Sequence, residues 1–196
     1  MSNLIALNRV SELVEKTVYK EIGGAEELLS TERKQFFNSN GHIQPQKILY
    51  AKEDNILEER LLYYRYDNYG NLIDYGQKDG SRITYLWSLN GHYPVAKLEN
   101  ISYLSIPSNL RTNIENATTT SNLSSALSSL RNHYNSNMDV LVTTMIYRPL
   151  EGVTSITDPK GDTQYFTYDP FGRLMQIKDK HGNILQENEY RYRTEN

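Results

Sequence analysis

The chain has 196 residues, 38% of them hydrophobic, a formal net charge of -3 and no cysteine. That length suits one core with an insertion; zero Cys excludes disulfides, thiolate zinc sites and cysteine nucleophiles, and charges of mixed sign leave no basic stripe for a nucleic-acid backbone. With 16 Tyr against 4 Phe and 1 Trp, the core must draw on phenol rings, whose hydroxyls need partners, and this favours a half-wet sheet over a dry helical bundle.

The opening MSNLIALNRVSELVEK shows no basic lead, long apolar stretch or small-residue cleavage site, so no signal peptide is visible. No apolar run reaches the length of a membrane span. From Glu12 to Lys20 the pattern fits a short helix or a strand, and Val14, Thr17, Val18 and Tyr19 favour the strand. Gly23-Gly24 and Asn38-Ser-Asn-Gly41 bracket the next segment, and Gln46–Tyr50 and Ile56–Tyr66 read as strands joined through Lys52-Glu-Asp-Asn55.

A repeat then sets the metre. Asp-x-x-Gly occurs at Asp67 to Gly70, Asp158 to Gly161, Asp169 to Gly172 and Asp179 to Gly182, with relatives at Asn38 to Gly41, Gln77 to Gly80 and Ser88 to Gly91. Starts at 67, 77 and 88, and at 158, 169 and 179, lie 10 or 11 residues apart. Asp opens a type I turn by bonding its side chain to the backbone two residues on, and Gly takes the left-handed position that closes it. The intervals left over match strand length and are rich in Tyr, Thr, Ile and Leu. In the interval from Ser81 to Trp87, Ile83, Tyr85 and Trp87 are expected on the packed face and Arg82 and Thr84 on the polar one, with Leu86 breaking the alternation.

Between the blocks, Leu123, Ala126, Leu127, Leu130 and Tyr134 fall at i, i+3, i+4, i+7 and i+11, a helical stripe. A helix over about 121–134 is predicted, starting at Thr119 to Ser121 and stopping near Asn135. The expected organisation is an N-terminal β-leaning segment (1–45), a first hairpin block (46–104), a Ser/Thr/Asn-rich insertion carrying the helix (105–140), and a second hairpin block with a C-terminal strand (141–196). The fold class is mainly β: antiparallel hairpins in a twisted or spiralling sheet with one inserted amphipathic helix.

The stretches YDNYGNL, Tyr66 to Leu72, and YDPFGRL, Tyr168 to Leu174, resemble the YD repeats of the Rhs (rearrangement hotspot) family: Tyr-Asp, two variable residues, Gly, Arg or Asn, then Leu. The phrases YPVAKLEN and GVTSITDPKGDTQYFTYDPFGRLMQIKDKHGNILQENEY are similar to the C-terminal regions of large Bacteroidetes-type Rhs-repeat proteins, and the likeness spans roughly residues 45–192. It implies a spiralling β-sheet built from hairpins, a shell or surface scaffold with a secreted or cell-surface location, adjacent YD repeats or another protein chain as partner, and an enclosed toxin or a cell-surface glycan as a further one. The repeat-turn residues are then Tyr66, Asp67, Gly70, Asp158, Gly161, Tyr168, Asp169, Gly172, Arg173, Asp179 and Gly182.

The chemistry-bearing residues weigh toward a non-catalytic reading. His42, His92, His133 and His181 lie in separate segments without ligand spacing, so no metal and no cofactor is predicted. Adjacent Glu58-Glu59 and Glu26-Glu27 would face opposite sides of a strand. No Ser sits in a nucleophile elbow. The resemblance brings one enzymatic alternative, self-cleavage by an aspartyl peptidase at a motif of the Asp-Pro-x-Gly-Leu type; Asp158-Pro-Lys-Gly161 and Asp169-Pro-Phe-Gly172 carry four of its positions, with Asp162 and Arg173 in place of Leu. The other alternative is a carbohydrate- or protein-binding module using exposed aromatics, with Tyr64, Tyr85 and Trp87 as its leading residues and Tyr63, Tyr66, Tyr165 and Tyr168 as further candidates.

Overall fold

The computed structural model describes residues 4–5, 8–39 and 41–191. Among these, twelve strands form one antiparallel sheet in which each strand is hydrogen-bonded to the next in sequence. They are β1 (Glu15–Ile22), β2 (Ala25–Ser39), β3 (His42–Lys52), β4 (Glu58–Tyr66), β5 (Leu72–Gln77), β6 (Arg82–Ser88), β7 (Tyr93–Glu99), β8 (Leu141–Arg148), β9 (Gly152–Thr157), β10 (Thr163–Tyr168), β11 (Leu174–Lys178) and β12 (Ile184–Glu187). Two helices, α1 (Ser108–Glu115) and α2 (Thr120–Tyr134), enter between β7 and β8. The chain divides into two compact units, residues 1–84 and 85–196.

In the first unit aromatic and polar pairs take the place of a large dry core. Tyr63 stacks on Tyr75 at 6.2 Å, its opposite number across β4 and β5. Phe37 meets Tyr66 at 6.0 Å. Such ring pairs add stability beyond the area they bury. Asp74 is buried and is held by the Arg82 guanidinium, with Nη1 3.1 and 3.0 Å from its two carboxylate oxygens.

The second unit has the dry core, and the inserted helices make it. Leu123, Ala126, Leu127, Leu130 and Tyr134 are the buried residues of α2, the stripe expected from the sequence. Thr119 caps this helix by accepting from the Asn122 N–H at 3.2 Å, and Asn135 ends it. They pack with Leu86, Val95, Leu98 and Val142 of the sheet and with Ile106, Leu110 and Ile114. Helix α1 was not expected: SNLRTNIE contains only Leu110 and Ile114 as apolar residues, one turn apart, amid weak helix formers, and packing against the core stabilises what propensity does not.

The helices also reverse the expected face of β6. Thr84, Leu86 and Ser88 are the buried residues, while Ile83, Tyr85 and Trp87 are only partly covered. The reason lies partly in Ser88. Its hydroxyl reaches the α1 end of the insertion, 2.7 Å from the Ile114 carbonyl and 3.2 Å from that of Ala117. The hydroxyl shares its one proton between these two buried carbonyls, the first of which also accepts the Ala117 N–H at 3.2 Å, and an apolar residue would give up that tie between strand and insertion. Ser88 is therefore an anchor and not the opener of an Asp-x-x-Gly-like turn; the connection itself is made by Leu89, Asn90 and Gly91 in the left-handed region.

Replacing Leu130, which has no exposed surface, by Ala is expected to lower the unfolding free energy by about 2–5 kcal/mol. Leu104→Ala, at a side chain 65% exposed, should change it by less than about 0.5 kcal/mol. Denaturant unfolding of the two variants beside the parent checks this placement of the core, and equal losses would overturn it.

Candidate functional site

The four Asp-x-x-Gly turns share one backbone hydrogen-bond pattern. Four connections have five residues between closing strand pairs: Tyr66 opposite Leu72, Thr157 opposite Thr163, Tyr168 opposite Leu174 and Lys178 opposite Ile184. In each, the Gly N–H donates to the Asp carbonyl, and the Asp N–H donates to the carbonyl of the residue after Gly. With Gly at positive φ in all four, this is a type I turn followed by a left-handed residue and a bulge, a standard three-residue hairpin connection.

The Asp carboxylate locks that backbone. One oxygen of Asp67 accepts the N–H groups of Tyr69 at 2.9 Å and Asn71 at 2.8 Å. Asp169 does the same for Phe171 and Arg173, both at 2.9 Å. Asp179 does so for His181 at 2.8 Å and Asn183 at 2.9 Å. The second oxygen takes the side chain that follows Gly: Asn71 Nδ2 at 2.9 Å, Arg173 Nε at 2.7 Å and Asn183 Nδ2 at 2.8 Å. This explains the Arg or Asn of the repeat. The position needs a donor reaching back four residues.

The turn at Asp158 departs from the rule. Its Oδ1 accepts the Asp162 N–H at 2.9 Å, but the side chain at 162 has no proton to give when ionised. Asp162 turns instead to Lys180, whose Nζ lies 2.7 Å away, and that bond holds its carboxyl below the usual range. Arg131 of α2 supports the same turn, donating through Nη2 to the Asp158 carbonyl at 2.6 Å and through Nη1 to the Val142 carbonyl at 2.8 Å. Nothing in the sequence marks Arg131 for this task, because its partners are backbone atoms brought to it only by folding.

The two tyrosines of the repeat are equivalent as well. Tyr66 donates its hydroxyl to the Pro45 carbonyl and Tyr168 to the Val153 carbonyl, each at 2.8 Å, in both cases on the preceding strand. Burial pushes both phenols above their ordinary range. Gly152 makes room for the second: at φ +141 it lies outside the usual range of L side chains, and a Cβ there would sit 2.8 Å from the Tyr168 hydroxyl. At Gly70 a Cβ would come within 2.8 Å of Gln44 Nε2, which donates to the Gly70 carbonyl at 3.0 Å.

The candidate ligand aromatics are placed differently. Tyr64 is 38% exposed, but the Arg82 guanidinium lies 3.3 Å from its ring centroid, so one ring face is already occupied by a cation–π contact. Tyr85 and Trp87 lie two apart on one face of β6, both partly covered. Tyr165 is 48% exposed. Among the described residues, no group of three or more His, Asp or Glu side chains is disposed to hold a metal ion.

Residues 151–184 match the family model described as RHS Repeat, a stretch that contains the turns starting at Asp158, Asp169 and Asp179. No curated protein matches the chain. Among solved structures, the chain is similar to the Photorhabdus luminescens Tc holotoxin pore, with 13% identity, a TM-score of 0.48, and coverage of 90% of this chain and 8% of that one. It is also similar to the TcdB2–TccC3 complex without its hypervariable C-terminal region, with 13% identity, a TM-score of 0.46, and coverage of 88% of this chain and 9% of that one. The chain thus spans less than a tenth of the length of either.

The turn carboxylates predict an acid dependence of stability. At Asp169, burial raises the carboxyl, and the hydrogen bonds from the Arg173 side chain, the Arg173 N–H and the Phe171 N–H outweigh it, so the group sits below its ordinary range. At Asp179 the Asn183 side-chain bond lowers it most, burial opposes, and the N–H groups of Asn183 and His181 add to the lowering. A carboxyl lowered in the folded state contributes stability that is fully present above its unfolded value, about 3.9, and is lost as pH falls through the folded value. Carboxyl NMR titration should find both groups below the ordinary Asp value, with unfolding free energy declining only beneath it; titration at or above that value would contradict the lock. For the tyrosine bond, Tyr168→Phe should cost about 0.5–1.5 kcal/mol in denaturant unfolding. Gly152→Ala should cost more, because it adds a clash and a strained φ to the loss of the same bond.

Proposed function

We propose that this chain is a non-catalytic structural segment of an Rhs/YD-repeat protein, contributing β-sheet to a shell or cell-surface scaffold of a secreted or surface-located assembly, with toxin encapsulation or delivery as its setting. The observation that carries the reading is the shared wiring of the Asp turns, three of them inside the stretch that matches the RHS Repeat model. In the turns starting at Asp67, Asp169 and Asp179, side-chain oxygens are spent on N–H groups and on the residue after Gly. A carboxylate so engaged holds a loop. It is poorly placed to serve as acid or base, since both its oxygens are engaged, and at Asp169 and Asp179 its proton affinity is lowered as well.

The tyrosines support the same role. Tyr66 and Tyr168 spend their hydroxyls on neighbouring backbone, and Tyr64 lies under Arg82. Adjacent YD repeats or another protein chain would continue the sheet at its ends, as repeat arrays do.

Two measurements test this reading. Incubated for days at neutral and mildly acidic pH, the purified chain should keep its intact mass of 22.7 kDa; time-dependent cleavage beside Asp158 or Asp169 would make it a self-processing peptidase. On a glycan array it should show no binding that Tyr85→Ala or Trp87→Ala removes. Binding lost in those variants would establish the carbohydrate-binding alternative in place of the scaffold.

A further inference from the structure

We propose that the two ends of the strand order are complementary edges, so that β12 of one copy pairs antiparallel with β1 of a second copy of this chain. The proposal rests on reading the chain as a sheet segment whose edges are joined to further strands. β1 and β12 stand at the two ends of the order, and both are exposed along their whole length. An edge strand presents unpaired N–H and C=O groups that template another strand.

The need for a partner is greatest at β1. β2 pairs with β3 only from Ser30 onward, so the part of the β1–β2 hairpin that pairs Tyr19 with Leu28 through Ile22 with Ala25 is a ribbon of two strands. Tyr19 and Ile22 on it are 52% and 51% exposed. Two strands alone are marginal in water, and a third stabilises them.

The register follows from side-chain chemistry. With Glu187 of one copy opposite Lys16 of the next, Gln186 falls opposite Thr17, and Ile184-Leu185 lies against Val18-Tyr19. Ile184 and Leu185 are 52% and 54% exposed, and Val18 and Tyr19 are 37% and 52% exposed. The ladder with β11 shifts between Ile177 and Lys178, which leaves Leu185 as an extra residue in β12. The bulge gathers Ile184 and Leu185 at one position of the ladder, so that both apolar side chains meet the Val18-Tyr19 stretch. Charge meets opposite charge, amide meets hydroxyl, and apolar meets apolar. Glu187 accepts from Gln176 Nε2 of β11 through one oxygen at 2.6 Å, and a carboxylate has a second oxygen to offer Lys16.

Self-pairing of β1 fits less well. With Val18 opposite its own copy, Lys16 faces Lys20 and Glu15 faces Glu21, and like charges directly opposite destabilise a ladder. The β12–β1 contact joins two different surfaces, so no two-fold axis stops it at two copies.

Sedimentation velocity over a concentration series is the test. The purified chain should form species beyond the dimer that grow with concentration. Lys16→Glu and Glu187→Lys should each weaken association about tenfold. Mixing the two variants, or combining both changes in one chain, should restore it, because each contact again joins opposite charges. Both side chains are exposed, and unchanged circular dichroism spectra would verify folding. A monomer at every concentration, or assembly indifferent to both reversals, overturns the proposal. So does a gain in association with Lys16→Glu that Glu187→Lys does not affect, since the carboxylate then at position 16 would face Lys20, which points to pairing of β1 with itself. None of these outcomes alters the mass and glycan tests, so the scaffold reading stands or falls separately.

Discussion

The structure depends on the bond between an Asp carboxylate and the backbone of the turn it opens. A five-residue connection between antiparallel strands leaves several N–H groups pointing into the loop, where no ladder partner exists for them. One carboxylate oxygen collects two of these groups in three of the four turns. The other oxygen draws back the side chain after Gly, so the loop is closed at its base and its tip. The conformation is set locally, which allows the same device to be used at successive hairpins without long-range help.

The tyrosine before that Asp solves a second problem. In a sheet with little dry core, large rings must cover neighbouring strands while their hydroxyls find acceptors. Tyr66 and Tyr168 reach the preceding strand and use a backbone carbonyl there. The Tyr-Asp dipeptide thus ties three strands: the Asp joins its own strand to the next, and the Tyr joins it to the one before. The wiring stops at β1 and β12, the two edge strands.

The insertion between β7 and β8 works on a different principle. Its helices bring a band of leucine and isoleucine onto one sheet face, supplying the burial that the hairpins lack. Arg131 and Ser88 stitch that band to the sheet through backbone carbonyls. Both side chains add a second donor to backbone acceptors already bonded locally, the Asp158 carbonyl by the Gly161 N–H and the Ile114 carbonyl by the Ala117 N–H, and so tie the insertion to the sheet.

Much of this was legible in the residues. The hairpin metre, the type I turns and the α2 stripe rest on contacts within a few residues: Asp to the N–H two positions on, Gly at its left-handed position, Leu to Leu across one helical turn. Local geometry is written in local sequence. The tie of Tyr66 to Pro45 and the service of Arg131 were not, because each ends on a backbone carbonyl that any residue supplies; the Arg or Asn after Gly was visible in the motif, and only the geometry showed its bond back to the Asp carboxylate. Helix α1 was hidden for lack of propensity, and the buried face of β6 was misread because both faces carry apolar residues. In Ile83, Leu86 and Trp87 the sequence by itself determined a strand able to pack on either side; only the tertiary structure, by laying the insertion over Leu86 and Ser88, decided which side became core.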